Sequence, residues 1–577
     1  MFRFLKKRGA FYYPGQEIPL PDMVTIADRK ESDSLESGKN RLIFTAGVFM
    51  LSFGLVCARL FNVAMTGGVI EEARREPSGV RSLNIKMKRA DITDRNGIIL
   101  ATSLPSADLY AEVDKIKNPE MVAAALVQTL PDLKYKPLLQ KLQGGKNFVY
   151  IKRALTPKEQ YEVNRLGFPA LNFQYVESRV YPQGSLFSHV LGATDIDGNG
   201  IAGMEKAFND KLSNKKENVR LSLDAGVQDT VRLALKESIE KFNAEGAAAV
   251  LMNAKTGEIV SLVSLPDFDP NNLKNAKRES LFNAASLGVY EVGSIMKLFN
   301  TAIGFETRKI KVSDTFDGAN PVVLANYTIQ DVPKLRRVLS VPEILIHSSN
   351  VGSARIALSV GSERQRDYLR RFGFFSPVSV ELPEKGHPLY PSVWRDLNTA
   401  TAAYGYGLAV TPLHVAAATA ALVNGGVYHA PTLVSKRNTD EITGERVISE
   451  KTSEIMRAIM RLVVTEGSGR RANVPGYEVG GKTGSAQKLA KGKYVENNLR
   501  TSFVSAFPMD NPQYVLMVMM EAPQRIKETY HFNTAAWNAV PTAERIISAV
   551  APQLGITPRP FEPRQAAPYV KAALNAN

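Results

Sequence analysis

A serine followed three residues later by a lysine places a nucleophile and a base about one helical turn apart, close enough for an unprotonated amine to take the hydroxyl proton. The 577-residue chain carries this pattern at Ser213/Lys216, Ser238/Lys241, Ser294/Lys297 and Ser485/Lys488. Context separates the four. Ser213 and Ser238 stand in charged stretches (LSNKKEN, KESIEKFN), where a lysine stays hydrated and protonated. Ser294 stands in VYEVGSIMKLFNTAIGF, where Gly293 precedes a predicted helix and Ile295, Met296, Leu298 and Phe299 can desolvate Lys297. Burial lowers a lysine pKa, and a helix N-terminus favours the charge that develops on the serine.

Two further stretches supply what such a nucleophile needs. His347-Ser348-Ser349-Asn350 follows the apolar run VPEILI and offers a hydroxyl to relay a proton and a carboxamide to hold a peptide. Gly480-Gly481-Lys482-Thr483-Gly484-Ser485 offers a cation and two hydroxyls for a carboxylate, with Gly484 expected to let an extended ligand approach the backbone. The same triplet occurs first at Lys255-Thr256-Gly257, which lies between the strand-like runs AAAVLM and IVSLVS and reads as a turn.

Ser294-x-x-Lys297, Ser348-x-Asn350 and Lys482-Thr483-Gly484, in that order, resemble the active-site motifs of the penicillin-binding protein and serine β-lactamase superfamily. YEVGSIMK, SSNVGSARIAL, GYGLAVTPLH and GGKTGSAQK are similar to the transpeptidase domain of class B penicillin-binding proteins. RADITDRNGIILA and SRVYPQGSLFSHVLGATDIDGNGIAGMEKAFN are similar to that class's pedestal domain, so the likeness runs from about Arg89 to Glu521. Departures from the usual pattern are Ile295 for Thr, Val292 for Pro, Ala90 for Gly and Ser485 for Thr; Val292 and Ile295 are expected at the pocket rim, where they would alter inhibitor preference.

The resemblance implies a peptidoglycan D,D-transpeptidase. Ser294 would attack the carbonyl between two D-alanines of a stem peptide with Lys297 as base, and the backbone N–H groups of Ser294 and Ser485 would form the oxyanion hole. Ser348 would pass a proton to the leaving D-alanine, Asn350 would orient the peptide, and Lys482, Thr483, Gly484 and Ser485 would bind its end. β-Lactams would acylate Ser294. Division-specific septal transpeptidases are the nearest class, with an elongation-type enzyme, a D,D-carboxypeptidase or β-lactamase, and a β-lactam sensor or scaffold as alternatives.

The elements that must position these groups are an α/β transpeptidase domain over residues 221–556, a mixed α+β pedestal over 66–220, and a flexible Pro-rich tail over 557–577. The pedestal shows a hairpin signal at Asn96-Gly97. Its stretch Asp195-Ile196-Asp197-Gly198-Asn199-Gly200 begins like a calcium loop but places Lys206, not a carboxylate, at the closing position, so it reads as a polar turn. Leu42 to Ala58 carries no charge, and residues 42–65 are expected to form one transmembrane helix after a cytoplasmic tail over 1–41. A catalytic domain acting on cell wall would then be periplasmic, anchored in the bacterial inner membrane at the septum. A tail this short holds no glycosyltransferase, so a membrane-embedded glycan polymerase and other division proteins are the expected partners.

Composition excludes several other classes. Hydrophobic residues make up 44% and charged residues 22%, as in globular proteins. The single cysteine, Cys57, precludes an internal disulfide, and the six histidines lack ligand spacing, so no metal or cofactor is expected. The net charge of +15 is dispersed and without interleaved aromatics, which argues against nucleic acid and for a solvated surface or an anionic neighbour such as lipid headgroups.

Overall fold

The computed structural model describes residues 44–59, 89–213, 217–436, 442–490 and 493–560. The chain divides into two units, residues 1–84 and 85–577. Of the first, a helix over 44–59 is described, and no helix among the described residues is long and apolar enough to cross a membrane. The expected cytoplasmic tail over 1–41 lies outside the described residues, and the expected span over 42–65 and tail over 557–577 lie partly outside them.

The second unit begins with a sheet built around one long strand. β1 (Ile92–Thr93) pairs with the start of β2 (Ile99–Glu112), while β3 (Phe148–Leu155) and β4 (Leu171–Val180) flank its remainder. β5 (Val219–Arg220) adds in parallel to β1 and leads onward. Three helices cover β2 and β3: α1 (Pro119–Thr129), α2 (Tyr135–Gln143) and α3 (Pro157–Arg165). Their starts are encoded locally. Pro119 and Pro157 fill first-turn positions where no N–H is needed, the Asn118 side chain caps Met121 N, and Thr156 with Glu159 forms a capping box. Val122, Leu126, Leu138, Leu142 and Val163 then pack on Leu109, Ala111, Ile151 and Leu155.

The Asn96-Gly97 turn is where expected, but only Gly97 takes positive φ (+87°). The loop is held instead by Asp94, whose carboxylate accepts from Asn96 N and Ile98 N at 2.8 Å and from Ala225 N at 3.1 Å. Asp94 thereby joins the hairpin to the start of α4 (Ala225–Phe242). The calcium-like turn is closed by its own bonds, with Asp195 Oδ1 accepting from Asp197 N and Asn199 N. No metal-holding cluster exists among the described residues.

After α4, β6 (Gly246–Asn253) and β7 (Ile259–Leu265) form the hairpin whose turn holds the first KTG, with Gly257 at φ +77°. The site helices follow: α5 (Met296–Glu306), α6 (Val341–Ile346), α7 (Asn350–Val360), α8 (Pro412–Val423) and α9 (Glu450–Thr465). β8 (Gly480–Ala490), β9 (Lys493–Phe507) and β10 (Tyr514–Glu521) complete an antiparallel sheet of order β8-β9-β10-β6-β7, and α10 (Ala539–Gln553) returns across it. Strand alternation divides two cores. Ala248, Val250, Met252, Met517 and Met519 face α8, and Ala249, Leu251, Leu516, Val518 and Met520 face α4 and α10. Both faces are covered, which explains the unbroken apolar runs AAAVLM and YVLMVMM. The edge left open is β8, the strand that carries the second KTG.

Candidate active site

Ser294 lies in a single 3-10 turn, Gly293–Ile295, at the entrance to α5. Gly293 takes φ +56°, and a Cβ there would meet Ser485 O at 2.9 Å. A Cβ on Gly484 would meet Val292 O at 2.3 Å and Ser502 Oγ at 2.6 Å. The two glycines therefore let the nucleophile turn rest backbone to backbone on β8. The space a side chain would take at Gly484 is filled by Val292, Ile295 and Ser502. The expectation for Val292 and Ile295 is corrected, since both are buried in the core and form no pocket rim.

Lys297 is fully buried on α5 among the predicted neighbours Ile295, Met296, Leu298 and Phe299. Its amine donates to Ser348 Oγ at 3.1 Å, to Asn350 Oδ1 at 2.7 Å and to the Ser348 carbonyl. Lys482, on β8, is fully buried too, and donates to the same Ser348 Oγ at 3.0 Å. One neutral hydroxyl thus stands between two amines. With both oxygen lone pairs so occupied, the hydroxyl proton is left for a third partner.

No carboxylate pairs with either lysine among the described residues. Burial, followed by the nearby charge of Lys482, pushes Lys297 well below the usual lysine range, with only Asp331 opposing. Burial alone brings Lys482 down to about 7. Burial thus favours the proton-accepting form of Lys297, and Lys482 lies where an arriving anion would favour its charged form.

The backbone around Ser348 is strained, with φ +59° at a residue other than glycine, a conformation costing about 1–3 kcal/mol. Asp331 compensates. Its buried carboxylate accepts from Ser349 Oγ at 2.6 Å, from Val351 N at 3.1 Å and from Asn350 N, capping α7 and setting the direction of Asn350. Sequence reasoning missed Asp331 because it is an isolated acid in a loop; DVP before a strand-like run carries no signal of its partner. Ser468 was missed in the same way: its hydroxyl pairs with Thr483 Oγ1 at 2.7 Å. Ser485 Oγ accepts from Ala535 N at 3.1 Å, which fixes the far end of the motif.

The competing serine–lysine pairs fall away on geometry. Ser238 is buried, contrary to its charged surroundings, because α4 turns it inward to Ala234 O and Thr542, while Lys241 stays exposed. Lys488 is bound by Glu245 at 2.7 Å and Glu521 at 2.8 Å, which raise its pKa against a burial that lowers it. Ser213 donates to Asn209 O, and Lys216 lies outside the described residues.

A serine on a tight turn, a buried lysine on the following helix, a shared hydroxyl and a second buried amine on an edge strand are the groups a serine-type acyl-transfer enzyme needs. Comparison with known proteins agrees. Residues 247–542 match the penicillin-binding protein transpeptidase domain, and residues 84–238 match the penicillin-binding protein dimerisation domain. The chain is 35% identical over 497 residues to the "probable peptidoglycan D,D-transpeptidase FtsI" of Caulobacter vibrioides, covering 84% of each. It is 30% identical to stage V sporulation protein D of Bacillus subtilis, covering 90% of this chain and 87% of that protein. The crystal structure of penicillin binding protein 3 from Mycobacterium tuberculosis complexed with aztreonam superposes with a TM-score of 0.66 at 23% identity, over 83% of this chain and 98% of that one, and so shares the fold. The chain belongs to the penicillin-binding protein family, and it is a transpeptidase with the family's dimerisation-type pedestal.

Proposed function

We propose that this transpeptidase cross-links peptidoglycan stem peptides through an acyl-enzyme on Ser294 and is a target of β-lactams. The observation that carries the roles is the pair of buried, acid-free lysines around Ser348. Neutral Lys297 takes the Ser294 proton as Oγ attacks the D-Ala-D-Ala carbonyl. The backbone N–H groups of Ser294 and Ser485 hold the oxyanion, each such donor being worth about 3 kcal/mol. The Ser348 proton passes to the departing D-alanine nitrogen and is replaced from Lys297. Lys482, protonated, takes the terminal carboxylate with Thr483 and Ser485, Asn350 orients the peptide amide, and an amine from a second stem resolves the acyl-enzyme.

Among the described residues, the carboxylates of Asp331 and of Glu291, three residues before Ser294, are both engaged. Asp331 is committed to Ser349, Asn350 and Val351, and Glu291 accepts from Gly407 N at 2.7 Å and from Tyr494 at 3.0 Å. Neither is free to activate water, which favours a persistent acyl-enzyme over a hydrolase. The likeness to the Caulobacter protein named FtsI supports a D,D-transpeptidase, and we extend it to a septal one, with residues 42–65 as a single span on the strength of their charge-free run 42–58, residues 1–41 cytoplasmic, and the pedestal over 66–220 and the transpeptidase domain over 221–556 periplasmic. In this proposal a glycan polymerase in the membrane supplies the strands.

The test is intact-mass analysis of the detergent-solubilised chain with benzylpenicillin. A stable adduct absent from Ser294→Ala is expected; adduct retained in that variant, or none in the wild type, overturns the assignment. Rapid adduct loss would make the enzyme a hydrolase.

A further inference from the structure

The segment from Gln330 to Arg337 is tied at both ends to the Ser348 motif. At one end, Gln330 O accepts from Asn350 Nδ2 at 3.4 Å and the Asp331 carboxylate holds Ser349 and Asn350. At the other, Arg337 donates to Nε2 of His347, the residue before Ser348, at 3.1 Å. Between these anchors the chain lies in solvent, with Val332 88% exposed and Lys334 and Arg336 exposed beside it. The segment is therefore a strap laid along the turn that presents Asn350.

Its charge is unbalanced. Arg337 is neutralised by Glu343 at 2.7 Å, and Asp331 spends its charge inward on backbone and hydroxyl donors. Lys334 and Arg336 have no hydrogen bond or ion pair among the described residues. Two exposed cations on a segment bonded to Asn350 and His347 add positive charge to the strap that runs beside the group proposed to orient the substrate amide. This charge lies apart from Lys482, whose buried amine is matched to the terminal carboxylate.

We infer that the strap from Gln330 to Arg337 is a specificity element that recognises a second anionic group on the acyl-donor side of the substrate, through Lys334 and Arg336. The inference rests on the acyl-enzyme reading above and deepens it: the preferred donor is an acidic peptide bearing a carboxylate upstream of the one held by Lys482. Both cations are exposed, so their effect is moderate and screened by salt.

The experiment compares second-order acylation rates of the solubilised full chain by benzylpenicillin and by its α-carboxy derivative, which places an extra carboxylate on the acylamino side chain. In Lys334→Gln/Arg336→Gln the ratio of carboxylated to neutral rate is expected to fall about three- to tenfold at low ionic strength, and the wild-type ratio to fall toward the variant's near 0.5 M salt. Benzylpenicillin acylation should stay within about twofold of wild type, which also shows the variant folded. An unchanged ratio overturns the inference, and so does an equal fall in both rates, which would mean the strap only positions Asn350. Failure of benzylpenicillin to acylate wild type would instead strike the acyl-enzyme reading.

Discussion

Two places in this molecule bury a pair of cations around one central group, and they do opposite things. In the pedestal, Glu205 is fully buried between Arg89 at 2.5 Å and Arg179 at 2.6 Å, and Arg89 also donates to Glu205 O and to Asn209. In the transpeptidase domain, Lys297 and Lys482 converge on a serine hydroxyl with no negative charge between them. Arginine stays protonated in any protein environment, so the pedestal pair demands a carboxylate and gains a rigid joint. Lysine can surrender its proton when desolvated, so the second pair needs no counter-charge and gains a base. Compensation of buried charge marks structure, and its absence marks chemistry.

The sharpest way to break that contrast is Lys297→Met. Loss of a general base should cut benzylpenicillin acylation by about 10²–10⁴-fold, while Tm stays level or rises because no partner charge is stranded. A matching fall in Tm would show that Lys297 is structural after all. The mirror experiment is Glu205→Gln, which leaves two arginines facing each other in the pedestal and should cost about 3–5 kcal/mol of stability by denaturant titration. Folded Glu205→Gln protein should still be acylated at Ser294.

Asp331→Asn tests whether a single compensating acid also shapes the site. Replacing the charged acceptor should cost about 1–3 kcal/mol in stability and lower acylation through misdirected Asn350. A normal acylation rate would argue that Ser349 alone suffices as the cap of α7.

The smallest effect is on pH dependence. Lys482→Gln removes the positive neighbour that helps depress Lys297, so the rising limb of the acylation rate should move to higher pH. Stability carries its own signature. Lys482 titrates near 7 when folded and near 10.5 when unfolded, so between those values the unfolded chain binds the extra proton. Stability of wild type relative to Lys482→Met should then rise with pH across that window, by at most about 1.4 kcal/mol per unit. A difference that is flat from pH 7 to 10 would mean Lys482 stays charged in the resting enzyme.

The reactive motifs were legible because their spacing is local: one helical turn joins Ser294 to Lys297, and one turn of chain joins Ser348 to Asn350. The apolar flanks of Lys297 announced its burial, and the insert between two apolar runs announced that Lys255-Thr256-Gly257 is a turn. Sequence alone thus singled out Ser294, Lys297 and the strand that carries Lys482, and it pointed to the transpeptidase fold. Tertiary structure alone decided that Lys482 is as deeply buried as Lys297, that both meet at Ser348, that Asp331 holds a strained serine in place, and that Glu205, one residue short of the closing position that Lys206 takes in the calcium-like stretch, bridges arginines distant in the chain. Helical and strand periodicity are set by neighbours a few residues away, whereas desolvation and charge pairing depend on groups that only folding brings together.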